Sequence, residues 1–275
     1  MDNPSSGVIP ERTSDPEEAF SLLEIDGAAV LQWKEVGGEA ATAATRAVLG
    51  GRLRALRAPV AIGTNPVAGQ PVFFDRATRT VNSDSHNRGP LHVDGYMVYG
   101  PAYPDIVFLL CAREADAGGD NFVVDGHRLL VQLAEDPDQR DLVRFLWQTP
   151  VEQSSPKGVP VRCPIAGRTP GGRIVIRAHN HQRLADDGSH NPGDQRLLER
   201  WQALLAAAAE AAPRFRLHAG DFLCLDNYRV FHGRESYHGN DRLLHRIWSW
   251  TEAAYGLPDP SIATQNAMTD FTRLG

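Results

Sequence analysis

The sequence predicts a mainly β protein with flanking helices, a double-sheet jelly roll. Two observations predict it. Short runs of strand length recur in both halves of the chain, notably 106–111, 121–124, 221–225, 229–232 and 243–251, with turn-forming residues between them. Helical stretches are few and fall between those runs, as expected for helices packed outside a two-sheet body. Nothing in the 275 residues reads as a repeat, a low-complexity tract or a linker, so one domain spanning 1–275 is the economical organisation.

Taken in order, 1–17 carries three Pro, several Ser and mixed charges without periodicity and reads as a loosely ordered lead-in. Residues 19–24 suit a short helix and 27–33 a first strand. The Ala-, Leu- and Arg-rich stretch 38–56 reads as a helix interrupted at Gly50-Gly51. Residues 71–74 suit a strand, and 83–90 a polar loop. The continuous apolar run 106–111 fits a strand covered on both faces. After 121–124, two helices are expected at 126–134 and 137–147, the second with Pro137 in its first turn, where the missing N–H costs little.

Residues 149–192 are irregular, with one expected strand at 173–177, and a long loop of that kind suits a lid or substrate wall. From 194 to 212, Leu197, Leu198, Trp201, Leu204 and Leu205 recur at helical spacing until Pro213. Residues 214–217 are expected to open the final set of strands.

Composition excludes several classes. The chain is 42% hydrophobic and 23% charged, ordinary values for a soluble protein. Its net charge is −6, with Arg interspersed among Asp and Glu, which argues against nucleic acid or an anionic membrane as partner. Three Cys, at 111, 163 and 224, are too few and too widely spaced for a disulfide framework or a Cys-rich zinc site. No apolar run approaches the ~18 residues of a membrane span, and the start of the chain lacks a signal-peptide pattern. A cytoplasmic location and a small-molecule substrate are expected.

The chemistry centres on Leu91-His92-Val93-Asp94-Gly95. If this stretch is a strand, His92 and Asp94 share one face. Two imidazoles and a carboxylate make a facial triad on an octahedral Fe(II) and leave the opposite positions open. Alone, His-x-Asp does not distinguish a metal pair from a turn. The candidate third ligand is His232, at the end of an apolar strand and before a Gly. On the strand that follows, Arg242, Leu244 and Arg246 share a face, the two Arg stems roughly 13 Å apart at ~3.3 Å per residue. The guanidinium fork suits carboxylates, so an anionic co-substrate is implied.

These pieces, with Gly118-Gly-Asp-Asn121 and the 220–227 strand, resemble the TauD/TfdA-type Fe(II)/2-oxoglutarate-dependent dioxygenases, close to the clavaminate-synthase-like members. The likeness covers about 20–251. It implies a double-stranded β-helix with Fe(II) held by His92, Asp94 and His232, and 2-oxoglutarate and O2 as co-substrates. Arg242 matches the Arg that binds the C5 carboxylate of 2-oxoglutarate. Asn121 stands where the family usually has Thr or Ser as a second donor, a role its amide N–H can fill. Arg246 matches an Arg that contacts either the co-substrate's C1 end or an acidic group of the primary substrate. Family halogenases replace the carboxylate with a small residue, so Asp94 implies oxygenation.

Hydroxylation of an unactivated C–H, with release of succinate and CO2, is the expected outcome, and desaturation or cyclisation its alternatives within the family. A zinc-dependent hydrolase using the same three donors and a silent jelly-roll binding protein compete from outside it. Tyr96, Arg177 and Asn180 are candidate substrate contacts, with Arg246 a fourth. Asp226 and Asn227 are expected to shape the turn before His232, with support of a metal ligand as the lesser reading, and His245 to be structural.

Overall fold

The alternation of the Ile106–Arg113 strand organises the larger sheet. Val107, Leu109 and Cys111 face one core, and Ile106, Phe108 and Leu110 face a second. Both faces of the strand are therefore buried, which is why its sequence is continuously apolar. The computed structural model describes residues 6–64, 73–75, 80–83, 87–153, 161–239, 241–258 and 271–274. Within them Ile106–Arg113 lies between Asp221–Asp226 and Leu243–Thr251, antiparallel to both. Ala28–Gln32 and Glu11–Thr13 extend the sheet on one side, and Leu53–Arg57 and Val60–Thr64 on the other.

One face of this sheet is covered by the helices Pro16–Asp26 and Gly38–Leu49. Ala19, Phe20, Leu23, Ala41, Ala44 and Val48 pack there on Phe108 and Phe222, whose rings stack 4.8 Å apart. The opposite face meets a smaller antiparallel sheet, in the order Gly7–Val8, Asn121–Asp125, Val230–Arg234, Gly89–His92. Helix Asp194–Ala211 lies over the smaller sheet, and Gly126–Glu135 and Arg140–Gln148 extend the helical layer. Two facing sheets with helices outside them are the expected jelly roll.

Several boundaries differ from the sequence reading. The helix expected over 38–56 stops at Leu49; a single 3-10 turn at Gly50–Arg52 reverses the chain, and Leu53–Arg57 is a strand on the long Leu243–Thr251. Leu53 and Leu56, three apart, suit a helical period, and sheet pairing overrides it. Within the described part of the lead-in, the backbone adds strands to both sheets, and Asp15 caps the first helix by accepting from Glu17 N at 3.0 Å. Residues 214–217 form only one bridge, Phe215 with Asn121. Among its described residues, the irregular 149–192 segment contains five short strands, Val151–Gln153, Val161–Cys163, Ala166–Arg168, Ile174–Ile176 and Gln182–Arg183, too brief to show a period. Of the strand expected at 71–74, Phe73–Asp75 is observed and 71–72 lie outside the described residues, as do 84–86 of the loop before the metal motif.

Candidate metal centre

His92 is the last residue of Gly89–His92 and stands directly opposite His232 in the antiparallel pairing. Their ring centroids are 4.3 Å apart. The strand ends there, so strand alternation does not bring Asp94 to His92, contrary to the sequence reading. Asn227 does that work from the turn between Asp221–Asp226 and Val230–Arg234. Its Oδ1 accepts from Asp94 N at 2.9 Å, and its Nδ2 donates to Asp94 O at 3.0 Å and Pro104 O at 2.8 Å. Gly95 then turns the chain at φ 77°, where a Cβ would sit 2.5 Å from Pro104 Cδ. Only glycine tolerates both conditions.

Asn227→Ala strips partners from one buried N–H and two carbonyls. The expected cost is at least about 3 kcal/mol of folding stability, at ~1–3 kcal/mol for each of the three unsatisfied groups. A denaturant midpoint equal to wild type would show that Asp94 is held in some other way.

The donor set is compact. One ligand atom each from His92, Asp94 and His232 lie within 4.8 Å of one another, the only such group of His, Cys, Asp or Glu among the described residues. The His92 ring Nδ1 is 2.9 Å from Pro90 O, which fixes it as the N–H side and turns Nε2 to Asp94 Oδ1 at 3.4 Å. His232 is buried, and its Nδ1 has no hydrogen-bond partner among the described residues. Burial, then the charge of His92, lowers the His232 pKa to about 3. It is a neutral ring. Burial raises the Asp94 pKa, but Arg246, followed by His92 and His232, outweighs it and holds the carboxyl well below its usual range. Burial likewise opposes charge on His92, where Asp94 prevails and raises the pKa. An ionised carboxylate beside two imidazoles, one with an orphaned buried nitrogen, fits a divalent transition metal.

Around Asp94 the two arginines part company. Arg246 NH1 lies 3.4 and 3.2 Å from the two Asp94 oxygens. Arg242 precedes Leu243–Thr251 instead of lying on it, and a bulge falls between Leu243 and Leu244. Its guanidinium packs over Tyr237 at 5.2 Å, and a Cβ on Gly119 would be 3.7 Å from its Nε. The Gly118-Gly119 turn thus carries the start of Asn121–Asp125 towards Arg242. Asn121 is buried and sits opposite Arg234 in the strand pairing.

The remaining candidates separate. Tyr96 is buried, with its hydroxyl 2.6 Å from Cys163 Sγ. Arg177 is also buried; it donates to Pro164 O at 3.0 Å and lies over the rings of Tyr96 and Tyr103. Asn180 is exposed and, with His179, lines a largely apolar cavity of about 360 Å³ under helix Asp194–Ala211. His245 faces Gly38 and Pro59, away from the metal motif. Asp226 turns the chain as expected, accepting from Tyr228 N, and also pairs with Arg173 at 2.6 Å.

His179, which the sequence groups with Arg177, Asn180 and His181 in one polar cluster, brings its ring to 6.4 Å from His92. Two residues near the site escaped the sequence reading: Tyr237 packs against Arg242, and Trp248 Nε1 donates to Asp94 Oδ2 at 2.8 Å. Only Trp248 carried a signal, being two residues beyond Arg246 on one strand.

A jelly roll that brings two histidines and a carboxylate within 4.8 Å defines the scaffold of a metal-dependent enzyme. The model of the taurine catabolism dioxygenase TauD, TfdA family matches residues 9–248, and the chain belongs to that family. Fe(II) is the family's metal, and 2-oxoglutarate and O2 are its co-substrates.

Solved structures agree in fold. Asparagine oxygenase in complex with Fe(II), 2S,3S-3-hydroxyasparagine and succinate is 19% identical at a TM-score of 0.57, over 86% of this chain and 79% of that one. A taurine dioxygenase from Burkholderia xenovorans is 15% identical at 0.54, over 86% and 81%. AAD-2 in complex with Mn(II) and N-oxalylglycine is 15% identical at 0.61, over 90% and 93%. At such identities the likeness is one of architecture. No helix among the described residues is long and apolar enough to cross a membrane.

Proposed function

We propose that the protein hydroxylates an unactivated C–H of a small polar substrate, amino-acid-like or a natural-product intermediate, releasing succinate and CO2. The observation that carries this reading is the donor set itself: His92, Asp94 and His232 within 4.8 Å, with the carboxylate retained. In this reading the three residues hold Fe(II), Arg242 grips the C5 carboxylate of 2-oxoglutarate, and Asn121 supplies a second donor to it. Fe(II) with 2-oxoglutarate and O2 supplies the oxidising chemistry; the protein supplies position and electrostatics.

The chain's own part is specific. His232 and His92 present ring nitrogens across one strand pair, and Asp94 stays ionised beside Arg246. Arg242, packed on Tyr237, offers a planar fork to a carboxylate. Tyr96 and Arg177 contribute as a buried wall beside the metal motif, and Asn180 at the cavity rim. The amino-acid class rests on the resemblance in sequence and on asparagine oxygenase as a structural neighbour. Desaturation or cyclisation of the same substrate class is the second reading within the family.

Aerobic turnover tests the proposal. Succinate release and O2 uptake, each dependent on both Fe(II) and 2-oxoglutarate, are expected and should rise with amino-acid-like substrates. A protein that hydrolyses substrate with Zn(II) and consumes no O2 would reverse the assignment to a hydrolase, and one inert with every metal would leave a binding protein.

A further inference from the structure

The two carboxylate oxygens of Asp94 meet different surroundings. Oδ1 looks towards His92 Nε2 at 3.4 Å. Oδ2 accepts the indole N–H of Trp248 at 2.8 Å. Arg246 does not choose between them, since its NH1 is 3.4 Å from one and 3.2 Å from the other. The choice belongs to Trp248.

Trp248 is itself fixed on several sides. It is buried, the Arg246 guanidinium packs on its ring at 4.6 Å and that of Arg57 at 4.9 Å, and Tyr99 meets it edge-on at 5.8 Å. Gly95, just past Asp94, would place a Cβ 3.7 Å from Trp248 Cδ2, so the indole abuts the turn that carries the carboxylate. A short N–H bond from a ring that cannot rotate is a directional commitment of Oδ2.

We propose that Trp248 is a positioning residue that reserves Asp94 Oδ2, so that Asp94 gives the metal one oxygen only. The inference rests on the oxygenase reading above. A carboxylate can bind a cation through one oxygen or two. In an octahedral set, two imidazoles and one oxygen leave three positions, enough for a chelating 2-oxo acid and one further ligand. A second Asp94 oxygen would take one of those three, and the indole N–H prevents it.

The test separates this role from packing. Mn(II) and then N-oxalylglycine are titrated calorimetrically into the full chain, as wild type, as Trp248→Phe and as Trp248→His. Phe keeps an aromatic ring without the N–H; the imidazole Nε2 takes the ring position of the indole nitrogen. In Trp248→Phe, Mn(II) affinity should stay within about threefold of wild type, while N-oxalylglycine binding weakens by about 10- to 100-fold, a loss of the size seen in activity when a group supporting a metal ligand is removed. Trp248→His should recover most of that loss.

Equal loss of Mn(II) and N-oxalylglycine binding in Trp248→Phe, or no loss of either, overturns the proposal. Should Trp248→Phe fail to fold, the wild type decides: infrared carboxylate stretches with ¹³C-labelled aspartate show whether Mn(II) takes one oxygen of Asp94 or two, and two overturns it. Wild-type protein that binds neither Mn(II) nor N-oxalylglycine would instead overturn the oxygenase reading and leave Trp248 a structural contact.

Discussion

Asp94→Ala is expected to abolish oxygenation. It removes one of three metal donors and the only one with a negative charge. Losing a group that merely supports a ligand costs ~10–100-fold in metal affinity, so losing the ligand itself should exceed ~100-fold. The substitution also strands Arg246, whose side chain is 16% exposed, and the Trp248 N–H, both of which now face the carboxylate. Removing one partner of a buried pair costs up to ~3–5 kcal/mol, and the partial exposure of Arg246 places the expected loss of stability below that range. Fe(II)-stimulated O2 uptake and succinate formation are the measurements. Near-normal hydroxylation by this variant would remove Asp94 from the metal.

Arg242→Leu should have the next largest effect, confined to the co-substrate. Among the described residues Arg242 lies near Tyr237, Cys111 and Arg234 with no carboxylate paired to it, and burial lowers its pKa. A cation in that setting gains most from an incoming carboxylate. Removing one partner of a buried, hydrogen-bonded charge pair costs about 2–5 kcal/mol. The KM for 2-oxoglutarate should therefore rise by roughly 30-fold or more, since ~1.4 kcal/mol is tenfold. Metal affinity should stay unchanged. Arg242→Lys keeps the charge without the fork and should recover only part of the loss. An unaltered KM in Arg242→Leu would move the carboxylate grip to another residue, Arg246 first.

The three candidate donors were legible, but not how they are brought together: His92, Asp94 and His232 stand out because metal chemistry admits few residue types, and the structure gathers them within 4.8 Å. The strand argument that joined His92 to Asp94 failed, because the strand stops at His92 and a side chain 133 positions away completes the geometry. Asn227 looked like a turn residue, and nothing local announces a hydrogen bond that long in sequence. Among the elements, Ile106–Arg113 was readable because burial on both faces leaves a continuous apolar run. Leu53–Arg57 was not, because Ala, Leu and Arg favour a helix until sheet pairing overrides them. Arg246, expected to meet either co-substrate or substrate, lies beside Asp94 in the structure, a contact the sequence did not announce.

The pairing of His92 with His232 across neighbouring strands ties coordination to register. A slip of one residue in a strand turns every side chain to the other face. His232 would then leave the interior, and Phe231 or Gly233 would stand in its place. A cation held by both rings therefore bolts the Gly89–His92 edge to Val230–Arg234, and one held by Asp94 as well adds the Asn227 turn. Metal at 100 times its dissociation constant stabilises the state that binds it by about 2.7 kcal/mol. In this protein that gain falls on a sheet edge, so the loaded enzyme is also the one whose smaller sheet is locked in register.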